Sequence, residues 1–301
     1  MKKIVIVGAN SYIARNLILT LKNSKERFEI KLYDYALEQI DGFENYTQID
    51  INSSDSVKKI DFNCDIIYMF VGKTGSEKGF TEYNTFLDIN ERSLLALLNE
   101  YTNQQSKAKI IFPSTRLVYK GKQGRLSEDS EKEFKTIYAI NKYACEKYLE
   151  MFHNAFGVNY CIFRICIPYG TLIPNATSYG TAEFMLTKAI KGENIVLYGE
   201  GSVRRTLIYI GDLCNILVEG ALSDKCINDV YNIGGEDYSL KEMAIAIADK
   251  YKVGIDYKPW PSISKLIESG NTVFEDKKLK DILKYKITEF KSWIDDIPEQ
   301  Y

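Results

Sequence analysis

The chain has 301 residues, enough to bury a substantial core and to divide into two structural units, and its 45% hydrophobic and 27% charged residues are ordinary for a globular protein. A formal net charge of -2 leaves no basic field for nucleic acid, and no lysine-rich run marks a membrane surface, so any ligand must be recognised by local groups. Cysteines at 64, 145, 161, 166, 214 and 226 form no CxxC pair and the single His153 cannot complete a zinc set, so reduced thiols and no metal are expected. The apolar run from Ile4 to Val7 is too short for a signal segment, and no run reaches membrane length; the cytoplasm is the expected location.

Lys3 to Val7 reads as a buried strand, and the turn Gly8-Ala9-Asn10-Ser11-Tyr12-Ile13-Ala14 leads into a helix to about Leu21. Strand, small-residue turn and helix present backbone N–H groups and a helix N-terminus to a diphosphate. Gly8, Asn10, Ser11, Tyr12 and Ile13 are therefore cofactor-loop candidates. Only the first loop position is glycine; Ser11 and Ala14 stand where such loops usually carry glycines, and the Ser11 hydroxyl could bond a phosphate or crowd it. A second strand, Glu29 to Asp34, ends in an acid about 20 residues past the turn, where a carboxylate can bond both ribose hydroxyls of NAD. No arginine adjoins Asp34 to accept a 2′-phosphate, which favours NAD over NADP; the alternative is a turn or cap aspartate. Tyr46 to Ile49 is a third strand, with Asp50 and Ile51 placed for an adenine edge, unless Asp50 only caps the next helix. Ile66 to Val71 is a fourth strand, followed by the polar loop Gly72-Lys73-Thr74-Gly75 and a helix from near Tyr83 to Tyr101. Asn90 on that helix is either an ordinary surface residue or an amide that holds the site's framework.

The fifth strand starts at Lys109 and ends at Thr115. A helix over Thr136 to Phe156 then puts Tyr138 and Lys142 one turn apart on one face. A free phenol titrates near ~10, and a nearby ammonium lowers that value. Thr115, Tyr138 and Lys142 could thus converge on one substrate oxygen, an arrangement suited to taking an alcohol proton while a hydride leaves the carbon. The same spacing is also compatible with a plain surface pair.

Tyr160 to Ile165 is another strand, followed by the turn Pro168-Tyr169-Gly170 and an irregular stretch to Ala182. A helix from Ala182 to Lys191, a strand from Ile195 to Tyr198 and the turn Gly199-Glu200-Gly201-Ser202 come next. Arg204 and Arg205, before the strand Leu207 to Tyr209, could clamp a diphosphate or form a solvated pair. Tyr231 to Gly235 ends a further strand, Leu240 to Lys250 has apolar residues at helical spacing, and Trp260, Trp293 and the tail from Lys277 read as packing. Lys73 and Arg116 read as solvated charges that could alternatively touch a ligand. Strands alternating with helices indicate an α/β fold with a doubly wound parallel sheet and ligands at the strands' C-terminal ends.

This ordered series resembles the extended short-chain dehydrogenase/reductase family, in its NAD-dependent epimerase/dehydratase branch acting on nucleotide sugars. The resemblance is carried by the Gly8 loop, Asp34, Asp50, Asn90, Ser114-Thr115-Arg116-Leu117-Val118-Tyr119, Tyr138-x-x-x-Lys142, Arg164 to Gly170, and Gly201 through Asp212. It implies a Rossmann-type NAD-binding domain over 1–166, with 203–233 returning to it, and a smaller C-terminal substrate domain mainly within 167–301. By resemblance Tyr138 is the base, Lys142 holds the nicotinamide ribose, Thr115 bonds the reacting sugar oxygen, Arg205 binds the diphosphate, and Tyr169 lies on the substrate side. A homodimer pairing through the helices of Asn90 and Tyr138 is implied as well. The chain departs from the pattern at Ser11 and Ala14, at Ile167-Pro168 where relatives carry an asparagine before Tyr-Gly, and at Arg116-Leu117 where sugar dehydratases carry an acid pair. These features lead to an NAD-dependent nucleotide-sugar epimerase acting at C4. The alternatives are a nucleotide-4-keto-sugar reductase using the same residues once, and a non-catalytic nucleotide sensor.

Overall fold

The computed structural model describes residues 1–174, 176, 178 and 180–297. In chain order its strands are β1 (Lys2–Val7), β2 (Phe28–Asp34), β3 (Tyr46–Gln48), β4 (Ile66–Met69), β5 (Lys109–Thr115), β6 (Arg125–Leu126), β7 (Asn159–Ile165), β8 (Ile167–Tyr169), β9 (Ile195–Tyr198), β10 (Arg204–Tyr209), β11 (Asp229–Asn232), β12 (Glu236–Ser239), β13 (Ile255–Lys258) and β14 (Val273–Phe274). Seven of them form one sheet, ordered β3-β2-β1-β4-β5-β7-β11, with every pairing parallel. The order reverses between β1 and β4, and such a switch opens a crevice at the strands' C-terminal ends.

The strands read as near-continuous apolar runs because both faces of the sheet are covered. Alternate side chains go to opposite layers. Ile4, Ile6 and Tyr68 pack under Leu17 and Ile18 of the helix Tyr12–Lys22 and under Leu213 and Leu217 of the helix Ile210–Leu222. Val5, Val7, Ile67 and Phe112 pack instead under Leu94 and Leu98 of the helix Ser93–Asn103 and under Leu149 of the helix Ile137–Phe156. The long helix starts cleanly because the Thr136 hydroxyl accepts from Ala139 N at 3.1 Å, and it stops at Gly157, whose φ is +72°.

Among the differences from the sequence expectation, two lie beside the β4 end. The fourth strand ends at Met69, although Phe70 N still donates to Val7 O at 2.7 Å before the chain leaves the sheet. The expected Tyr83–Tyr101 helix is interrupted by one π-helical turn, Asp88–Arg92, with Asn90 buried in it. Such turns recur at functional sites, because the extra residue re-aims a side chain.

The remaining strands build a smaller layer: β12-β10-β8, the pair β13-β9 and the pair β14-β6. Its core joins Ile167, Met185, Leu207, Met243, Ile247 and Phe290. The helix Leu240–Tyr251 begins with a capping box between Ser239 and Glu242. Positions 175, 177 and 179 of the expected irregular stretch lie outside the described residues. Among the described residues no helix is long and apolar enough to cross a membrane, and no group of three His, Cys, Asp or Glu side chains could hold a metal ion.

Candidate functional site

A cleft of ≈ 500 Å³ opens where β1, β2 and β4 end; Gly8, Ser11, Asp34, Asp50 and Ile51 are among the residues lining it. Gly8 is required there twice over. Its φ is +87°, and a Cβ would come within 2.6 Å of Val71 N, so only glycine lets the first turn pass the end of β4. Ser11 is the N-cap of the helix Tyr12–Lys22, yet its side chain makes no capping bond, and its Oγ is buried without a partner. A buried orphan hydroxyl at a helix N-terminus is matched by an anionic oxygen. Asp34 stands at the cleft edge, where it also accepts from Asn10 N at 2.9 Å and Ala36 N at 3.2 Å.

Asn10, Tyr12 and Ile13 are not among the residues lining this cleft, and their side chains are engaged elsewhere. The Asn10 side chain braces the next loop, donating to Glu38 O at 3.0 Å and accepting from Ile40 N at 3.1 Å. Tyr12 reaches across to donate its hydroxyl to Gly170 O at 2.5 Å, tying the first helix to the turn after β8. Ile13 packs against the core. In a helical turn only every third or fourth side chain faces one direction, which leaves Ser11 to face the cleft.

A second cleft of ≈ 800 Å³ adjoins the C-terminal end of β5 and is lined by Thr115, Arg116, Tyr138, Pro168 and Thr181, with Lys73 of the loop after β4. Thr115 ends β5 and caps the short 3-10 turn Arg116–Val118, its Oγ1 accepting from Leu117 N at 3.3 Å. The hydroxyl proton therefore remains available. Burial pushes the Tyr138 phenol up to about 12, while the hydrogen bond with Thr115 pulls against that rise. The lowering expected from Lys142 is not among the causes of this shift; burial and the Thr115 bond decide it. Lys142, 5% exposed, donates to Pro113 O at 2.9 Å and sits 4.4 Å from the centre of the Phe112 ring. Burial draws its ammonium down to about 8.

Asn90 is no surface residue. Its Oδ1 accepts from Lys73 N at 2.7 Å, and its Nδ2 donates to Lys73 O at 3.1 Å and to Asn141 Oδ1 at 3.3 Å. The π-helical turn thus fixes the loop after β4 against the helix of Tyr138 and Lys142. A Cβ on Gly72 would lie 3.4 Å from Asn90 Oδ1 and 3.7 Å from Lys142 Nζ, so these groups meet beside a residue of the first cleft.

Behind Thr115 lies a network that the sequence reading did not single out. Arg164 and Glu146, 4% and 3% exposed, pair through Nε–Oε1 at 3.0 Å and Nη2–Oε2 at 2.6 Å. Ser114 donates to the same carboxylate, and Arg164 also donates to Tyr119 OH at 2.7 Å. The pair locks β5, β7 and the tyrosine helix together. A signal was present: Arg164 interrupts an apolar strand, and Glu146 follows Lys142 by one helical turn.

Three other expectations are corrected. Tyr169 is 1% exposed, donates to Thr288 O at 3.1 Å and packs 4.8 Å from Trp293 and 4.9 Å from Phe290. The alternation of β8 turns it into the core while neighbouring Pro168 lines the cleft. Arg205 is not solvated. It is 2% exposed, ion-paired to Glu268 at 2.5 Å, and donates to Gly270 O at 2.5 Å and Arg204 O at 2.9 Å. Arg116 is partly buried and lines the second cleft instead of lying on the surface.

Comparison with known proteins agrees with this layout. Residues 4–234 match the family described as NAD dependent epimerase/dehydratase. A putative UDP-glucose 4-epimerase of Methanocaldococcus jannaschii is 26% identical over 61% of this chain; the match spans 63% of that protein, less than two thirds of its length. An uncharacterized UDP-glucose epimerase of Bacillus subtilis is 23% identical over 87% of this chain and 90% of its own. The fold is that of the UDP-glucuronic acid 4-epimerase from Bacillus cereus, solved with UDP-glucuronic acid and NAD, at a TM-score of 0.82 and 21% identity over 96% of this chain and 95% of that one. The paired clefts at the ends of a parallel sheet thus sit in an enzyme that belongs to the NAD dependent epimerase/dehydratase family.

Proposed function

We propose that this enzyme is an NAD-dependent nucleotide-sugar epimerase acting at C4. The observation that carries the reading is the meeting of the Thr115 hydroxyl and the Tyr138 phenol at one cleft, with Lys142 buried behind them. The residues of the first cleft fit NAD. The orphan Ser11 hydroxyl and the helix N-terminus suit its diphosphate, Asp34 its adenosine ribose, and Asp50 and Ile51 its adenine. Tyr138 of the second cleft and Lys142 behind it suit its nicotinamide ribose. When bound, it supplies a hydride acceptor and donor.

The chain's own residues move the proton. Thr115 orients the sugar hydroxyl, Tyr138 accepts its proton, and the Lys142 ammonium offsets the charge that develops on the phenol. The keto sugar turns over within the second cleft, and Tyr138 then returns the proton to the same oxygen. Arg116 and Leu117 follow Thr115 in place of an acid pair, which disfavours dehydration. Exposed Leu87 and Ile140, 42% and 47% accessible on the two helices, support a homodimer through those faces. A cytoplasmic location belongs to the same reading.

The test is to denature the purified protein, quantify released nicotinamide nucleotide, and assay UDP-, dTDP-, CDP- and GDP-sugars for interconversion. Near-stoichiometric NAD or NADH with interconversion is expected, and Tyr138→Phe should keep the cofactor while turnover falls by roughly 10²–10⁴-fold. Full activity in that variant would remove Tyr138 as the base. An empty protein that consumes NADH with a 4-keto sugar nucleotide would establish the reductase instead. Cofactor binding without turnover across the panel would establish the sensor.

A further inference from the structure

One arginine at the second cleft lacks the counter-ion that other buried arginines of this chain have. Arg15, Arg164 and Arg205 are each buried against a carboxylate: Asp41 at 2.5 Å, Glu146 at 2.6 Å and Glu268 at 2.5 Å. Arg116 is different. Among the described residues no carboxylate lies within ion-pair distance of it, and its hydrogen bond is from Nη1 to the neutral Ser269 Oγ at 2.9 Å. The guanidinium has five N–H donors, so most of its capacity is unspent. It follows Thr115 directly in sequence and lines the same cleft wall as Thr115, Tyr138 and Thr181.

We infer that Arg116, steadied by Ser269, is an oxyanion-binding residue of the second cleft, taking either a carboxylate carried by the sugar or the phosphate joined to it. This rests on the nucleotide-sugar reading above. Burial, and after it the adjacent Arg205, draw the Arg116 pKa down to about 10 against the opposing pull of Glu268, so the free protein bears a cost that an incoming anion offsets. Arg205 cannot supply that charge as freely, because Glu268 and the Gly270 carbonyl already occupy its fork. A planar guanidinium meets carboxylate or phosphate oxygens two at a time, which gives orientation as well as affinity.

The experiment uses the full chain with its cofactor and calorimetric titration. UDP, dTDP, CDP and GDP are titrated first to identify the base, then the glucose and glucuronate conjugates of that base, against wild type, Arg116→Gln and Arg116→Lys. If the anion is a sugar carboxylate, wild type prefers the glucuronate conjugate, and Arg116→Gln loses roughly tenfold or more for it while binding the glucose conjugate within about twofold of wild type. If the anion is the phosphate, Arg116→Gln weakens both conjugates and the free nucleoside diphosphate alike, by a similar factor. Arg116→Lys, which keeps the charge and loses the fork, should fall between the two proteins and guards against misfolding of the glutamine variant. Binding of every compound within about twofold of wild type in both variants would overturn the inference. Failure of all four nucleoside diphosphates to bind wild type would overturn the nucleotide-sugar reading and this inference with it.

Discussion

Lys142 offers a test in which stability and activity must move in opposite directions. Its ammonium is 5% exposed and is drawn from 10.5 to about 8 by burial. At roughly 1.4 kcal/mol per pH unit, the fold prefers the neutral amine by about 3 kcal/mol. At pH 7 both folded and unfolded chains carry the charge, so that cost is present in full. Lys142→Met fills similar space without the charge, but it forfeits the bond to Pro113 O, worth roughly 1–1.5 kcal/mol, and the contact over Phe112, worth roughly 1 kcal/mol. The net expectation is a variant about 1 kcal/mol more stable than wild type at pH 7, with turnover lost. As pH rises from about 8 towards 10.5, folded wild type sheds the proton while the unfolded chain keeps it, so wild-type stability rises across that window. The methionine variant lacks this contribution. Urea unfolding of both proteins between about pH 7 and 10 gives the difference between them, in which all other titrating groups cancel. A variant less stable than wild type at pH 7, or a difference independent of pH, would refute the reasoning.

Other perturbations probe the remaining parts of the site. Gly8→Ala sets a methyl against the Val71 backbone at a positive φ and should cost roughly 2–3 kcal/mol or more, read as a lower thermal midpoint with loss of retained nicotinamide nucleotide. Glu146→Leu leaves Arg164 buried without its carboxylate and should cost roughly 3–5 kcal/mol in chemical denaturation; a neutral result would mean the pair is dispensable. Asn90→Ala frees the Lys73 backbone and should lower kcat more than it lowers stability, with roughly 1–3 kcal/mol lost in unfolding. If the protein pairs through the two helices, Leu87→Glu with Ile140→Glu should halve the mass measured by light scattering. An unchanged mass would place the interface elsewhere.

The main sheet was legible because each strand is buried on both faces and therefore appears as an apolar run between polar turns, and because the strands alternate with helices. Thr115, Tyr138 and Lys142 were legible for a related reason: a strand's C-terminal end and one helical turn are local geometries that spacing encodes. The misses share the opposite property. Tyr169 was taken for a ligand contact, yet Phe290 and Trp293, more than a hundred residues later, decide which side of β8 is core. Where the side chains of Asn10 and Tyr12 go was likewise not legible, because the partners that take them are Glu38 and Gly170. The π-helical turn around Asn90 has no propensity signal, since the Lys73 backbone and Asn141 hold the amide in place.

By itself the sequence determined the α/β alternation, the acid at the end of β2 and the tyrosine–lysine pair one turn apart. Each follows from backbone periodicity or from spacing along the chain. Charge balance in the second cleft was decided only by the tertiary structure. In the sequence Arg116 and Arg205 could each be solvated or touch a ligand, but folding brings Glu268 onto Arg205 and a neutral serine onto Arg116. Whether a charge is paired depends on distance through space, which these residues, about 60 to 150 positions apart along the chain, acquire only when the smaller layer closes over the end of β5.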